Sequence, residues 1–182
     1  MAKKFCFEQG QKDIEFCTGD MLNLPYRDNS MDLVLTIHAI ESNGGKEKEI
    51  LEELYRVCKK YLILMEPCFE FASDEAKARM IKHGYVTKLY ETAKNLGYCI
   101  ETYELYGISG NELNPTGLMI IKKDNSDDNV ILSPYACPIS KTPMALYENS
   151  FYSEESMLAY PIIQGIPCLL PNNAVVATKY MV

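Results

Sequence analysis

Two periods of apolar spacing organise the first two thirds of the chain. The run MDLVLTI at 31–37 is apolar at nearly every position, as in a strand buried on both faces of a parallel sheet. YLILM at 61–65 repeats that pattern and stops at Glu66-Pro67. Between them Asn43-Gly44-Gly45 breaks the chain, and Ile50, Leu51, Leu54 and Val57 then recur at helical spacing with charges opposite. Ser73 is placed to cap the next helix, with Asp74 and Glu75 at the positive end of its dipole, and Gly84 interrupts it. Val86, Leu89, Tyr90, Ala93 and Leu96 continue a helical stripe as far as Gly97. Residues 99–108 and 117–122 read as two strands joined by the turn-rich segment 109–116; with no helix between them they pair antiparallel. Upstream, 2–10 reads as the end of a helix closed by Gly10, and 14–17 as a short strand stopped by Gly19-Asp20. Strands alternating with helices predict an α/β layer fold with a parallel sheet and an antiparallel C-terminal hairpin.

The pattern changes after residue 123. KKDNSDDN at 122–129 has no apolar anchor and reads as a linker. The remainder holds most of the nine prolines, few charges and many short apolar runs. The expected organisation is one α/β domain over 1–123, a linker at 124–129 and a small α+β or β module over 130–182. Composition narrows the function. The net charge of −7 gives no signal for broad binding to a phosphate backbone, which needs a basic face. No apolar run approaches the roughly 18 residues that span a bilayer, and MAKKFCFEQG lacks the apolar core of a signal peptide. Seven scattered cysteines, none in a CxxC pair, fit a reduced, cytoplasmic chain.

DIEFCTGDMLNLPYRDNSMDLVLTIHAIES, followed by EILEELYRVCKKYLILMEP, resembles the second half of a class I S-adenosylmethionine-dependent methyltransferase. In that family a strand ends in Gly-Asp, a loop carries Leu-Pro, and Asp opens the next buried strand. A helix with Glu-Leu-x-Arg-Val then leads to a strand ending in Glu-Pro. The resemblance implies S-adenosylmethionine as cofactor, with Asp20 accepting a hydrogen bond from the adenine amino group and Met21 packing near the base. Ligands in open α/β sheets sit at the carboxyl ends of the strands, where Asp20, His38 and Glu66 are expected. His38 is the candidate base that orients or deprotonates a nucleophile. Glu66 is a candidate substrate-side carboxylate, and Tyr85 and Asn114 are candidate pocket residues. Each has a purely structural alternative: a turn cap for Asp20, a strand-end residue for His38, a terminator before proline for Glu66, and turn chemistry for Asn114. Methyl transfer needs mainly alignment, because the sulfonium is already activated, so the lack of an obvious catalytic triad does not count against this class.

YACPISKTPMALYENSFYSEESMLAYPIIQGIPCLLPNNA resembles the small module of the tRNA-methyltransferase activator-subunit family, through Cys-Pro-x-x-Lys, Tyr-Pro-Ile and Gly-Ile-Pro. That resemblance covers about residues 132–174 and implies a protein-contact or substrate-presenting role. Zinc-binding members carry a second cysteine where this chain has Ser140; Cys137 and Cys168 are too few for a four-ligand site, so no zinc is expected and both are taken as buried apolar residues.

The methyltransferase family opens with a strand, a glycine-rich turn, a helix and a second strand ending in a ribose-binding acid; this sequence contains none of these. The cofactor site is therefore expected to be incomplete. In the family sheet the missing strands separate 14–17 from 31–37, so those segments are expected to pair directly, or the first is displaced. Two readings of function follow. One is a methyltransferase acting on an unidentified acceptor, its activity resting on half a cofactor site. The other is a non-catalytic protein-binding module or truncated remnant, engaging a protein partner or a second copy through the incomplete sheet or the C-terminal module.

Overall fold

The computed structural model describes residues 2–11, 13–107, 111–124 and 133–178. The expected turn at Ser109-Gly110, the strand end at Ile108, the linker at 125–129 and the start of the module at 130–132 lie outside them. The chain forms two compact units, 28–132 and 1–27 together with 133–182.

The unit 28–132 is built on a four-stranded sheet. Its strands are β1 (Met31–Ile37), β2 (Cys58–Pro67), β3 (Cys99–Leu105) and β4 (Thr116–Lys122), in the order β1-β2-β4-β3. β1 and β2 are parallel, whereas β2–β4 and β3–β4 are antiparallel. The parallel pair needs a crossover, which helix α2 (Glu47–Val57) supplies. Ile50, Leu51, Leu54 and Val57, the positions at helical spacing, are all buried. They share a core with Leu62, Leu64, Met119 and Ile121, one alternating set of the central strands. Each such side chain contributes about 1.5–3 kcal/mol on leaving water. The other set is less covered: Leu33, Leu35 and Ile37 are 52%, 49% and 57% exposed. β1 is thus not the strand buried on both faces that its apolar run predicts.

The remaining helices follow the expected caps with one shift. In α3 (Asp74–Lys82) the Ser73 hydroxyl accepts from the Ala76 N–H at 3.2 Å. Gly84 then ends the segment at φ +66°, a left-handed conformation that costs glycine least. Helix α4 covers only Leu89–Asn95. Val86, expected at its start, is buried outside it, because its N–H donates to Glu41 O at 2.8 Å and holds the chain extended there.

The other unit differs from the expected division. Residues 1–27 fall in one unit with the chain from 133 onward. Their core is Tyr135, Cys137, Met144, Phe151, Tyr160 and Leu169, with Cys17 and Tyr26 against it. Tyr26 stacks on Tyr135 at 5.6 Å between ring centroids, Arg27 N–H donates to Pro134 O at 2.8 Å, and Ala136 N–H donates to Pro25 O at 3.0 Å. Residues 14–17 form no strand. Thr18 makes a lone parallel bridge to Cys168, with Thr18 N–H on Pro167 O at 2.9 Å. The displaced arrangement is therefore the one adopted. Helix α1 (Ala2–Glu8) precedes this segment, closed by Gly10 at φ +77°. The C-terminal part is an antiparallel meander of β5 (Ala145–Tyr147), β6 (Ser150–Ser153), β7 (Leu158–Ile163) and β8 (Ile166–Pro167), with β9 (Val175–Val176) also on β7.

Glu47, the first residue of α2, is 5% exposed, and its carboxylate accepts from Gly45 N–H at 2.8 Å and Thr87 N–H at 3.1 Å. One charge thus fixes the helix start and ties it to the segment before α4. Glu47→Gln turns one acceptor into a donor facing a backbone N–H; unfolding in urea is expected to show a loss of about 1–3 kcal/mol with an unchanged slope.

Candidate functional site

The loop leaving β1 is held by a buried carboxylate. Glu66, near the end of β2 and 3% exposed, accepts from Ala39 N–H at 3.0 Å and from Ile40 N–H at 3.3 Å, one to each oxygen. Burial pushes this carboxyl above its ordinary range, and the two N–H bonds and nearby His38 oppose the shift. His38 N–H donates to Met65 O at 3.0 Å, and Ile40 is fully buried. The chain turns at His38 with φ +47°, a left-handed conformation uncommon outside glycine. Further on, Gly44 lies so close to the next segment that a Cβ there would stand 2.6 Å from both the Gly84 and Tyr85 carbonyl oxygens. Only glycine fits.

The turn brings His38 into a hydrogen-bonded cluster. Nδ1 lies 2.9 Å from Glu41 Oε2 and Nε2 lies 2.8 Å from Thr116 Oγ1, at the start of β4. The Asn114 amide donates to the same Glu41 oxygen at 3.2 Å. A carboxylate only accepts, so Nδ1 carries a proton; in the neutral ring Nε2 then accepts from the Thr116 hydroxyl. The His38 side chain is 36% exposed and that of Glu41 is 27% exposed. Asn114 Oδ1 is buried without a partner among the described residues. Chemically this is an oriented imidazole whose basic nitrogen becomes available when the Thr116 hydroxyl turns away.

The residues named from sequence separate into groups. His38 and Asn114 meet through Glu41, and Glu66 supports them from beneath with both oxygens engaged by backbone. Tyr85 belongs to another cluster, packed on Ala72, Ala76 and Met80 with Phe69 and Leu113, while Arg79 lies over its ring at 5.4 Å. Asp20 and Met21 lie in the other unit. Asp20 Oδ1 accepts from Leu22 N–H at 3.0 Å, a turn cap that leaves Oδ2 without a partner among the described residues. Sequence reading missed Glu41 and Thr116. Glu41 stands three residues after His38, but only the left-handed bend folds it back, and no local signal pairs His38 with a residue 78 positions on.

Cys137 was expected to be a buried apolar residue. It is fully buried, yet Ser140 N–H donates to its sulfur at 3.5 Å, and the Ser156 and Tyr160 hydroxyls lie at 3.5 and 3.4 Å. Burial raises the thiol, but bonds from the Ser140 side chain and backbone, Ser156 and Tyr160 outweigh it and bring the pKa to about 7. Cys168 is half-buried, its thiol 3.6 Å from Ile166 O. Among the described residues no three His, Cys, Asp or Glu side chains are grouped to hold a metal, and no helix is long and apolar enough to cross a membrane.

Residues 1–64 match the family model of the methyltransferase domain. Norajmaline N-methyltransferase of Rauvolfia serpentina is 49% identical over 47 residues, 26% of this chain and 16% of that enzyme. The chain thus spans about a sixth of the length of that relative. The UPF0434 protein of Vesicomyosocius okutanii is 45% identical over 47 residues, 26% of this chain and 80% of that protein. The chain belongs to the UPF0434 family. The methyltransferase-domain match covers about the first third of the chain. Its mixed α/β fold is similar to that of a SAM-dependent methyltransferase from Aquifex aeolicus, with a TM-score of 0.50 and 16% identity over 66% of this chain and 61% of that one.

A nucleotide cofactor bound in the Rossmann manner needs close backbone approach at a glycine turn. Among the described residues, the glycines packed most tightly meet other protein atoms: Gly44 the 84–85 backbone, Gly117 the Cys68 side chain, Gly165 the Lys3 ammonium and Gly19 the Pro25 ring.

Two outcomes follow. Nitrogen NMR of the wild-type chain at a pH where His38 is neutral is expected to show the proton on Nδ1, and Glu41→Ala is expected to abolish that preference. Ultraviolet difference titration against Cys137→Ser is expected to show a thiolate forming near pH 7, moving up in Ser140→Ala. Because this pKa lies below the ordinary 9.0, the thiol's contribution to stability is complete above pH 9.0 and is lost as pH falls through about 7.

Proposed function

We propose that the chain takes part in S-adenosylmethionine-dependent methyl transfer, with the proton of the acceptor handled at His38. The observation that carries this reading is the His38–Glu41–Thr116 cluster at the carboxyl end of β1, inside a chain that carries methyltransferase-domain sequence. Glu41 holds the ring and fixes its tautomer, and Nε2 takes the acceptor's proton once Thr116 releases it. Asn114 steadies Glu41, and Glu66 sets the loop from which His38 projects. When bound, the donor would supply an activated methyl group; Asp20 Oδ2 would accept from its adenine amino group and Met21 would pack near the base. Tyr85 would contact the acceptor, whose chemistry lies in loops that vary within one fold. The seven unpaired thiols suit a reducing compartment such as the cytoplasm. In this reading the module over 130–182 is an activator-like protein-contact element.

Isothermal titration of the chain with S-adenosylhomocysteine tests the reading. Binding at micromolar strength that disappears in Asp20→Ala is the expected result. No heat at millimolar ligand would overturn donor binding by this chain and favour a non-catalytic, partner-binding role.

A further inference from the structure

The free edge of the four-stranded sheet is an unusual surface. Among the described residues β1 has one strand neighbour, β2, so its other side presents backbone without a sheet partner. Natural edges are blunted by charge, proline or inward twist. β1 carries one charge, Asp32, already engaged by the Lys60 ammonium at 2.9 Å. The rest of the strand is apolar, and Leu33, Leu35 and Ile37 stand about half exposed on one face.

We propose that this edge pairs antiparallel with β1 of a second copy, about a two-fold axis through Val34. The sequence Met31-Asp-Leu-Val-Leu-Thr-Ile37 is nearly its own mirror in kind. In that register Leu33 lies opposite Leu35 of the second copy, Met31 opposite Ile37, and Asp32 opposite Thr36. Residues of odd number meet residues of odd number, so the exposed leucines of both copies fall on one face. Apolar meets apolar at the cross-strand positions, and no like charges face each other. A slip of one residue breaks that match, which is why the register is specific. The contact is isologous, so it uses the β1 edge of both copies and closes at two.

Sedimentation equilibrium of the full chain tests this. The expected mass at high concentration is twice the 20.7 kDa of one chain. Leu35→Lys, at a half-exposed position where the fold tolerates it, is expected to weaken the dimer at least about tenfold, because each ammonium then faces a leucine of the other copy. The double variant Leu33→Glu, Leu35→Lys restores association, since each new carboxylate meets the other copy's new ammonium. Circular dichroism identical to wild type keeps the comparison valid; if Leu35→Lys unfolds, Leu35→Thr serves in its place. A monomer at about 100 µM, a concentration at which contacts with dissociation constants in the micromolar range are formed, overturns the proposal. So does a dimer indifferent to all these substitutions.

Discussion

One buried carboxylate organises the candidate site. Glu66 is nearly inaccessible to water, and two backbone N–H groups from the loop after β1 point at its carboxylate and favour the charged form there. Those bonds choose the path of the loop, and the path forces His38 into a left-handed turn. The turn swings Glu41 back to the imidazole and presents the other ring nitrogen to β4. Removing the carboxylate would leave two orphaned donors beneath the site, and the geometry above it would lose its reason to exist. The residue read from sequence as a substrate-side acid works from below.

Glu47 plays the same part on the far side of that loop, with its oxygens on Gly45 and Thr87. Two carboxylates therefore bracket residues 39–45. Each converts a stretch of irregular chain into a fixed shape without any regular hydrogen-bond ladder. This is how a loop can hold an imidazole in one orientation while the ring itself stays accessible.

Much of the α/β unit was legible in the sequence because its signals are local. Apolar runs marked β1 and β2, helical spacing marked α2, and Ser73 announced its own cap. What was not legible depended on partners far along the chain. Residues 14–17 read as a strand but form none; Thr18, just after them, bridges Cys168, 150 positions away, and Tyr26 stacks on Tyr135 in the same unit. The same holds at the site. His38 and Asn114 were visible as residue types at strand ends, whereas Glu41 and Thr116 acquire meaning only once the loop is bent. Cys137 shows the limit in another way: a thiol inside an apolar run reads as a hydrophobe, and only the converging hydroxyls reveal its acidity.

The contact at Gly44 has an implication for how this scaffold can vary. Its backbone lies against the carbonyls of Gly84 and Tyr85 with no room for a side chain. The loop that bears His38 and the turn that ends α3 are therefore one unit of exchange. Grafting either from a relative brings the other into the design, because the two segments must match along one seam. Diversification at this surface proceeds by paired replacement.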